Sequence, residues 1–169
     1  MQNDAVAKMF VAFVVKRMEM SERDILLCVE RLSEAQLWER GGDWENSVGN
    51  LLLHLEGNVR QWILHGVGGQ PDVRERDAEF SVKAGGSKKE TVARFELTLA
   101  EARGVIGGVT PERLLEVIDP QPGGTWRHPT VLEAVGQVSG HMQQHMGQIV
   151  MRTKQLVQGD VGLSMPRKR

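Results

Sequence analysis

The chain has one cysteine in 169 residues, a formal charge of only −1 and no apolar run of membrane-spanning length. A single Cys28 excludes an intramolecular disulfide and agrees with a reducing compartment. Nearly balanced charge gives no electrostatic reason to expect nucleic acid or an anionic membrane as a main partner. The longest apolar stretch is interrupted by Lys16 and Arg17. The N-terminus also lacks the basic, apolar and small-residue order of a signal peptide, so a cytoplasmic protein is expected. What is present, 40% hydrophobic and 25% charged residues, describes a soluble globular domain. One domain is expected over residues 1–165, with 166–169 as a basic, solvated tail.

Hydrophobic periodicity predicts an all-α protein. Phe10, Val14, Met18, Ser21, Ile25, Cys28 and Leu32 recur at steps of three and four and mark one face of a helix over residues 4–32. Cys28 lies on that face as a small apolar side chain, with no histidine near it in sequence to make it a nucleophile. Ser33 through Gln36 has the form of a capping box and predicts a short turn ending near Arg40. Trp38 and Trp44 flank the break and are expected to cover the end of the helical core. A second long helix is predicted from an N-cap at Ser47 to a stop at Gly66, with Val48, Leu51, Leu55, Val59 and Trp62 as its core stripe. Residues 66–86 lose all periodicity and read as a long crossover, able to place the next helix beside a non-adjacent partner or to rim a pocket. Ser87 and Glu90 open a third long helix, on which Val92, Phe95, Leu99, Ala102 and Ile106 follow the helical repeat. A short helix is predicted over 110–117, and then a loop over 119–129. There Trp126, Arg127 and His128 read as surface residues able to reach a site entrance. Thr130 and Glu133 cap the last helix, expected to run to about Val157 with Val131, Val135, Val138, Met142, Ile149 and Leu156 inside. The expected fold is therefore a four-helix bundle with a long crossover connection and short extra helices.

The chemistry concentrates on histidine. His141 and His145 stand one helical turn apart on one side of the last helix, the spacing at which two imidazoles reach one metal ion. They border the apolar stripe together with Gln137, Gln148 and Arg152. His54 holds the matching border of the second long helix, beside Asn58, Gln61 and His65, and is the best third ligand. A seam of packed, hydrogen-bonded histidines satisfies the same pattern without a metal. A zincin protease is excluded, because Met142 stands where its general-base glutamate would be.

Leu51-Leu52-Leu53-His54-Leu55, then His141 through Ile149, with a lead-in of Leu32 to Leu37 and Trp44, resemble the motifs of the DinB/YfiT-like superfamily of metal-binding four-helix bundles. The resemblance implies a divalent metal, zinc or nickel, on His54, His141 and His145. It also implies a homodimer and a low-molecular-weight thiol cosubstrate for a transferase or isomerase acting on a small electrophile. Three imidazoles leave coordination positions open, where a thiol or a water would lose its proton. Gln148 is placed to orient a ligating imidazole, and Arg152, one turn further on, to meet an anionic group of the cosubstrate. Three other functions remain compatible with these residues: a metal-dependent hydrolase, a metal-stabilised bundle for dimerisation or ligand binding, and a metal-free interaction module.

Overall fold

The computed structural model describes residues 2–82, 86–118 and 128–163. It is an all-α four-helix bundle. The long elements are α1 (Gln2–Glu30), α3 (Val48–Val59) continued by a π-helix (Arg60–Val67), α5 (Lys88–Gly107) and α6 (Val131–Val157). Two short helices, α2 (Glu34–Trp38) and α4 (Arg76–Ser81), and one 3₁₀ turn (Arg113–Leu115) complete it. The principal contacts join α1 to α5 and α6, and α3 to the same two helices. The order around the bundle is therefore α1, α5, α3, α6, and the two histidine helices are neighbours. The long connection after the π-helix joins two adjacent helices, and the steps to non-adjacent positions are those from α1 to α3 and from α5 to α6. No helix among the described residues is long and apolar enough to cross a membrane.

The periodic residues form the core. Val14, Met18, Ile25, Cys28 and Leu32 are buried against Phe95, Leu99, Ala102 and Ile106 of α5 and Val131, Val135, Val138, Met142 and Ile149 of α6, with Phe10, Val92 and Leu156 partly buried at the margins. Ser33, Ser47 and Thr130 each close a reciprocal capping box, and Ser87 accepts the Glu90 N–H. These caps satisfy backbone donors that a helix start otherwise leaves unpaired.

Several local expectations are corrected. Trp38 is buried and donates its indole N–H to Gly86 O at 3.0 Å, but Trp44 is 84% exposed and lies over Gly42 of its own loop. Gly66 does not stop the second long helix, which widens into the π-helix and ends at Val67. Widening shifts the inward register by one residue, so Ile63 and Val67 are buried where an unbroken α-helix would bury Trp62 and Gly66. The short helix expected over 110–117 is one 3₁₀ turn, after which Val117 bridges Thr130 in antiparallel fashion. The connection expected to lack structure contains α4. The basic tail lies outside the described residues, as do Trp126 and Arg127; His128 is exposed.

Candidate metal centre

His54, His141 and His145 are brought together, each offering a nitrogen, with the three atoms all within 4.8 Å of one another. His54 Nε2 is 3.2 Å from His141 Nε2, and His145 Nε2 is 3.0 Å from the same atom. Two nitrogens bound to one tetrahedral zinc at ~2.05 Å are roughly 3.3 Å apart, so the cluster is close to the spacing a metal ion requires. The rings meet edge to face, with interplanar angles of 68°, 82° and 84°.

Proton placement supports the same reading. His54 Nδ1 donates to Glu79 Oε2 at 2.8 Å, and His145 Nδ1 donates to Gln148 Oε1 at 2.6 Å. In a neutral imidazole the other nitrogen is then a lone pair, so His54 and His145 both turn lone pairs toward His141 Nε2. A single N–H on His141 could satisfy only one of them, whereas a cation at the convergence satisfies all three rings. Burial first, then the neighbouring His145 and His54 and the Arg74 charge, depress the His141 pKa to about 4. Burial also lowers His145, against a smaller opposing effect of its bond to Gln148. Neutral imidazole is the form that ligates. Among the described residues, His141 Nδ1 is buried without a hydrogen-bond partner.

Around His54 lies a polar shell that sequence reasoning missed. Glu79 of α4 is buried, and its carboxylate accepts from His54 and from Arg74 Nε at 2.7 Å and Nη2 at 3.0 Å. Burial alone would raise the Glu79 carboxyl, but the bonds from His54 and Arg74 outweigh it and hold it below its ordinary value. Arg74 Nη1 donates to Gln61 Oε1 at 3.0 Å, and Gln61 Nε2 donates to Asp72 at 2.9 Å. The segment is fastened from below: Asn50 Nδ2 donates to Glu79 O and Val82 O, both at 2.9 Å, and Arg40 donates to Phe80 O and Val82 O. Gly57 completes the seat, because a Cβ there would overlap Glu79 Oε1. A glycine inside a helix costs roughly 1 kcal/mol relative to alanine, and the approach of Glu79 accounts for it. The available signal was a run over 76–81 compatible with a helix and ending in Glu79-Phe80-Ser81, too short to carry an apolar stripe.

Gln148, expected on sequence grounds to orient an imidazole, is hydrogen-bonded to the His145 ring. Arg152 does not stand free for a cosubstrate: it donates to Glu39 O at 3.3 Å and lies 3.8 Å from carboxylate oxygens of both Glu39 and Glu45. Cys28 is fully buried, and burial raises its thiol pKa. A cavity of 380 Å³ opens beside the histidines, with His54, His141, Asn58, Trp62, Arg76 and Gln137 among its walls.

A family model described as "Protein of unknown function (DUF1572)" matches residues 5–169. No curated protein matches the chain.

Proposed function

The chain belongs to the DUF1572 family, whose description assigns no activity, and from its own residues we propose a DinB-like, divalent-metal-dependent enzyme that transfers a low-molecular-weight thiol to a small electrophile or uses it to isomerise one. The observation that carries this reading is the convergence of three imidazole nitrogens, two of them from His54 and His141 at the wall of a cavity. A purely structural site is closed by its ligands, whereas three histidines beside open space leave room for an exchanging ligand. Zinc or nickel suits an all-imidazole donor set. A cation held there supplies Lewis acidity, lowering the pKa of a thiol or of a water.

The remaining roles fall to the protein. Glu79 and Gln148 fix the His54 and His145 rings with their lone pairs inward, and Arg74 holds Glu79. Trp62 gives the cavity an apolar wall, and the amides of Asn58 and Gln137 give it neutral polar groups. The carboxylates of Glu79 and Asp72 are both engaged by hydrogen bonds, so neither is offered as a base. Thiol chemistry fits this arrangement better than hydrolysis, because a small thiol is acidic enough to lose its proton without a dedicated base.

The test begins with elemental analysis of tag-free protein beside His54→Ala, His141→Ala and His145→Ala. Near-stoichiometric metal in the wild type, lost in each variant, is expected. Cobalt-substituted protein titrated with 2-mercaptoethanol should then develop a thiolate charge-transfer band, and metal-loaded protein should consume a thiol with a chlorodinitrobenzene electrophile. Bound metal that never exchanges with thiol would identify a structural ion and a non-catalytic bundle. Protein that cannot be loaded with zinc or nickel would leave an interaction module.

A further inference from the structure

Two guanidinium groups line the cavity beside the histidines, and they differ in what they are bonded to. Arg74 is committed: Nε, Nη1 and Nη2 all donate to Glu79 or Gln61. Arg76 is uncommitted. Its one contact among the described residues is with the Phe80 ring, over which Cζ lies at 5.2 Å from the centroid. Phe80 in turn lies tilted by 40° against the ring of His54, with centroids 4.9 Å apart. Two steps, of 5.2 and 4.9 Å, therefore separate a guanidinium with no ion pair among the described residues from the His54 imidazole. Asp72 and Glu79, on the same segment, are each held by Gln61 and Arg74, and no ion pair to Arg76 is formed by its sequence neighbours Glu75 and Asp77 among the described residues. In the same cavity wall, Asn58 Oδ1 is buried without a partner. An orphaned amide group of this kind is left for a ligand or water to satisfy.

We infer that Arg76 is the anion-recognition residue of this cavity and that its ligand is a small thiol carrying a carboxylate a few bonds from the sulfur. The planar guanidinium, lying over the Phe80 ring, has paired N–H donors in the geometry a carboxylate accepts. The sulfur end points to the histidines, the carboxylate to Arg76 and a neutral donor to Asn58. A volume of 380 Å³ admits a molecule of that size with space to spare. Arg152, expected on sequence grounds to take this role, lies 3.8 Å from carboxylate oxygens of Glu39 and Glu45 and is not among the residues lining the cavity. The inference rests on the proposed metal reading for the reacting end of the ligand and on Arg76 alone for its charged end.

Calorimetric titration with 3-mercaptopropionate and its uncharged analogue 3-mercaptopropan-1-ol tests it, on wild type, Arg76→Ala and Arg76→Lys. The carboxylate is expected to bind about five- to ten-fold more tightly to wild type. Arg76→Ala should abolish that preference, Arg76→Lys should keep part of it, and metal content should be unchanged in both. Butyrate, which has no thiol, is titrated into chelator-treated protein to separate the two ends. Binding of butyrate that depends on Arg76 would support the charged subsite even if the metal reading failed. Equal affinity for the two thiols in wild type, or a carboxylate preference that survives in Arg76→Ala, overturns the assignment whatever the metal content.

Discussion

Glu79→Gln isolates what the polar shell does for the metal centre. The substitution keeps side-chain volume but replaces a carboxylate that accepts three bonds, one from His54 and two from Arg74, with an amide whose NH2 must face one of those donors. Bonds to a charged partner contribute about 1.5–3 kcal/mol each, and loss of an outer partner of a ligating histidine typically lowers metal affinity about 10–100-fold, or roughly 1.4–2.8 kcal/mol. Glu79→Gln is therefore expected to weaken zinc by one to two orders of magnitude in competition with a chromophoric chelator at pH 7.5. The metal-free variant should also lose about 3 kcal/mol in urea unfolding, because the Arg74 side chain, only 6% exposed, keeps a charge without its partner. Two companions separate these effects. Arg74→Met with Glu79→Gln removes both charges and should recover stability but not affinity. Gly57→Ala, whose methyl group takes the place of Glu79 Oε1, should weaken metal while every charged residue is retained. Zinc affinity within three-fold of wild type in folded Glu79→Gln and Gly57→Ala would refute the claim that Glu79 orients His54.

The metal-free protein should lose stability on mild acidification. His141 titrates near 4 when folded and near 6.5 when unfolded, so the unfolded chain takes up the proton first. Stability is full above about pH 6.5 and falls by roughly 2–3 kcal/mol as pH drops toward 4, and chemical unfolding at pH 7 and 4.5 should show a smaller fall in His141→Gln. Thr130→Ala removes the side chain that caps Glu133 N–H at the start of α6 and should cost about 1 kcal/mol in the same assay. Cys28 should react with an aromatic disulfide reagent only at the rate of unfolding, since its sulfur is fully buried and its thiol pKa is raised.

The three histidines were legible because helical geometry converts spacing into position: a four-residue interval puts His141 over His145, and a border location on a second helix puts His54 opposite. The caps were legible for a similar reason, since Ser47 and Thr130 act on donors three residues away. Residues whose roles depend on tertiary placement were not. Arg74 and Glu79 sit in a mixed-charge stretch that looks solvated in one dimension, and only the bonds from Asn50 and Arg40 to its backbone reveal that it is clamped over α3. Arg152 shares the histidine border of α6, but helix periodicity carries no information on the α2–α3 loop, whose Glu45 pairs with it. Trp62 packs against the core only in part, because a constant 100° per residue does not hold through a segment that turns more slowly.

That slower turn has an implication for how this site could arise and be lost. A π-helix holds one residue more than an α-helix needs over the same span, so the wall formed by Trp62 depends on how many residues lie between Arg60 and Val67 as much as on which they are. Substitution leaves that number alone. Deleting a single residue there would bring the helix back into α phase and turn Trp62 toward the core, altering the cavity while all three histidines stayed in the chain. Among relatives, chain length across this one turn is thus a heritable character in its own right, and two sequences with the same histidines but a one-residue gap here would present differently shaped cavities.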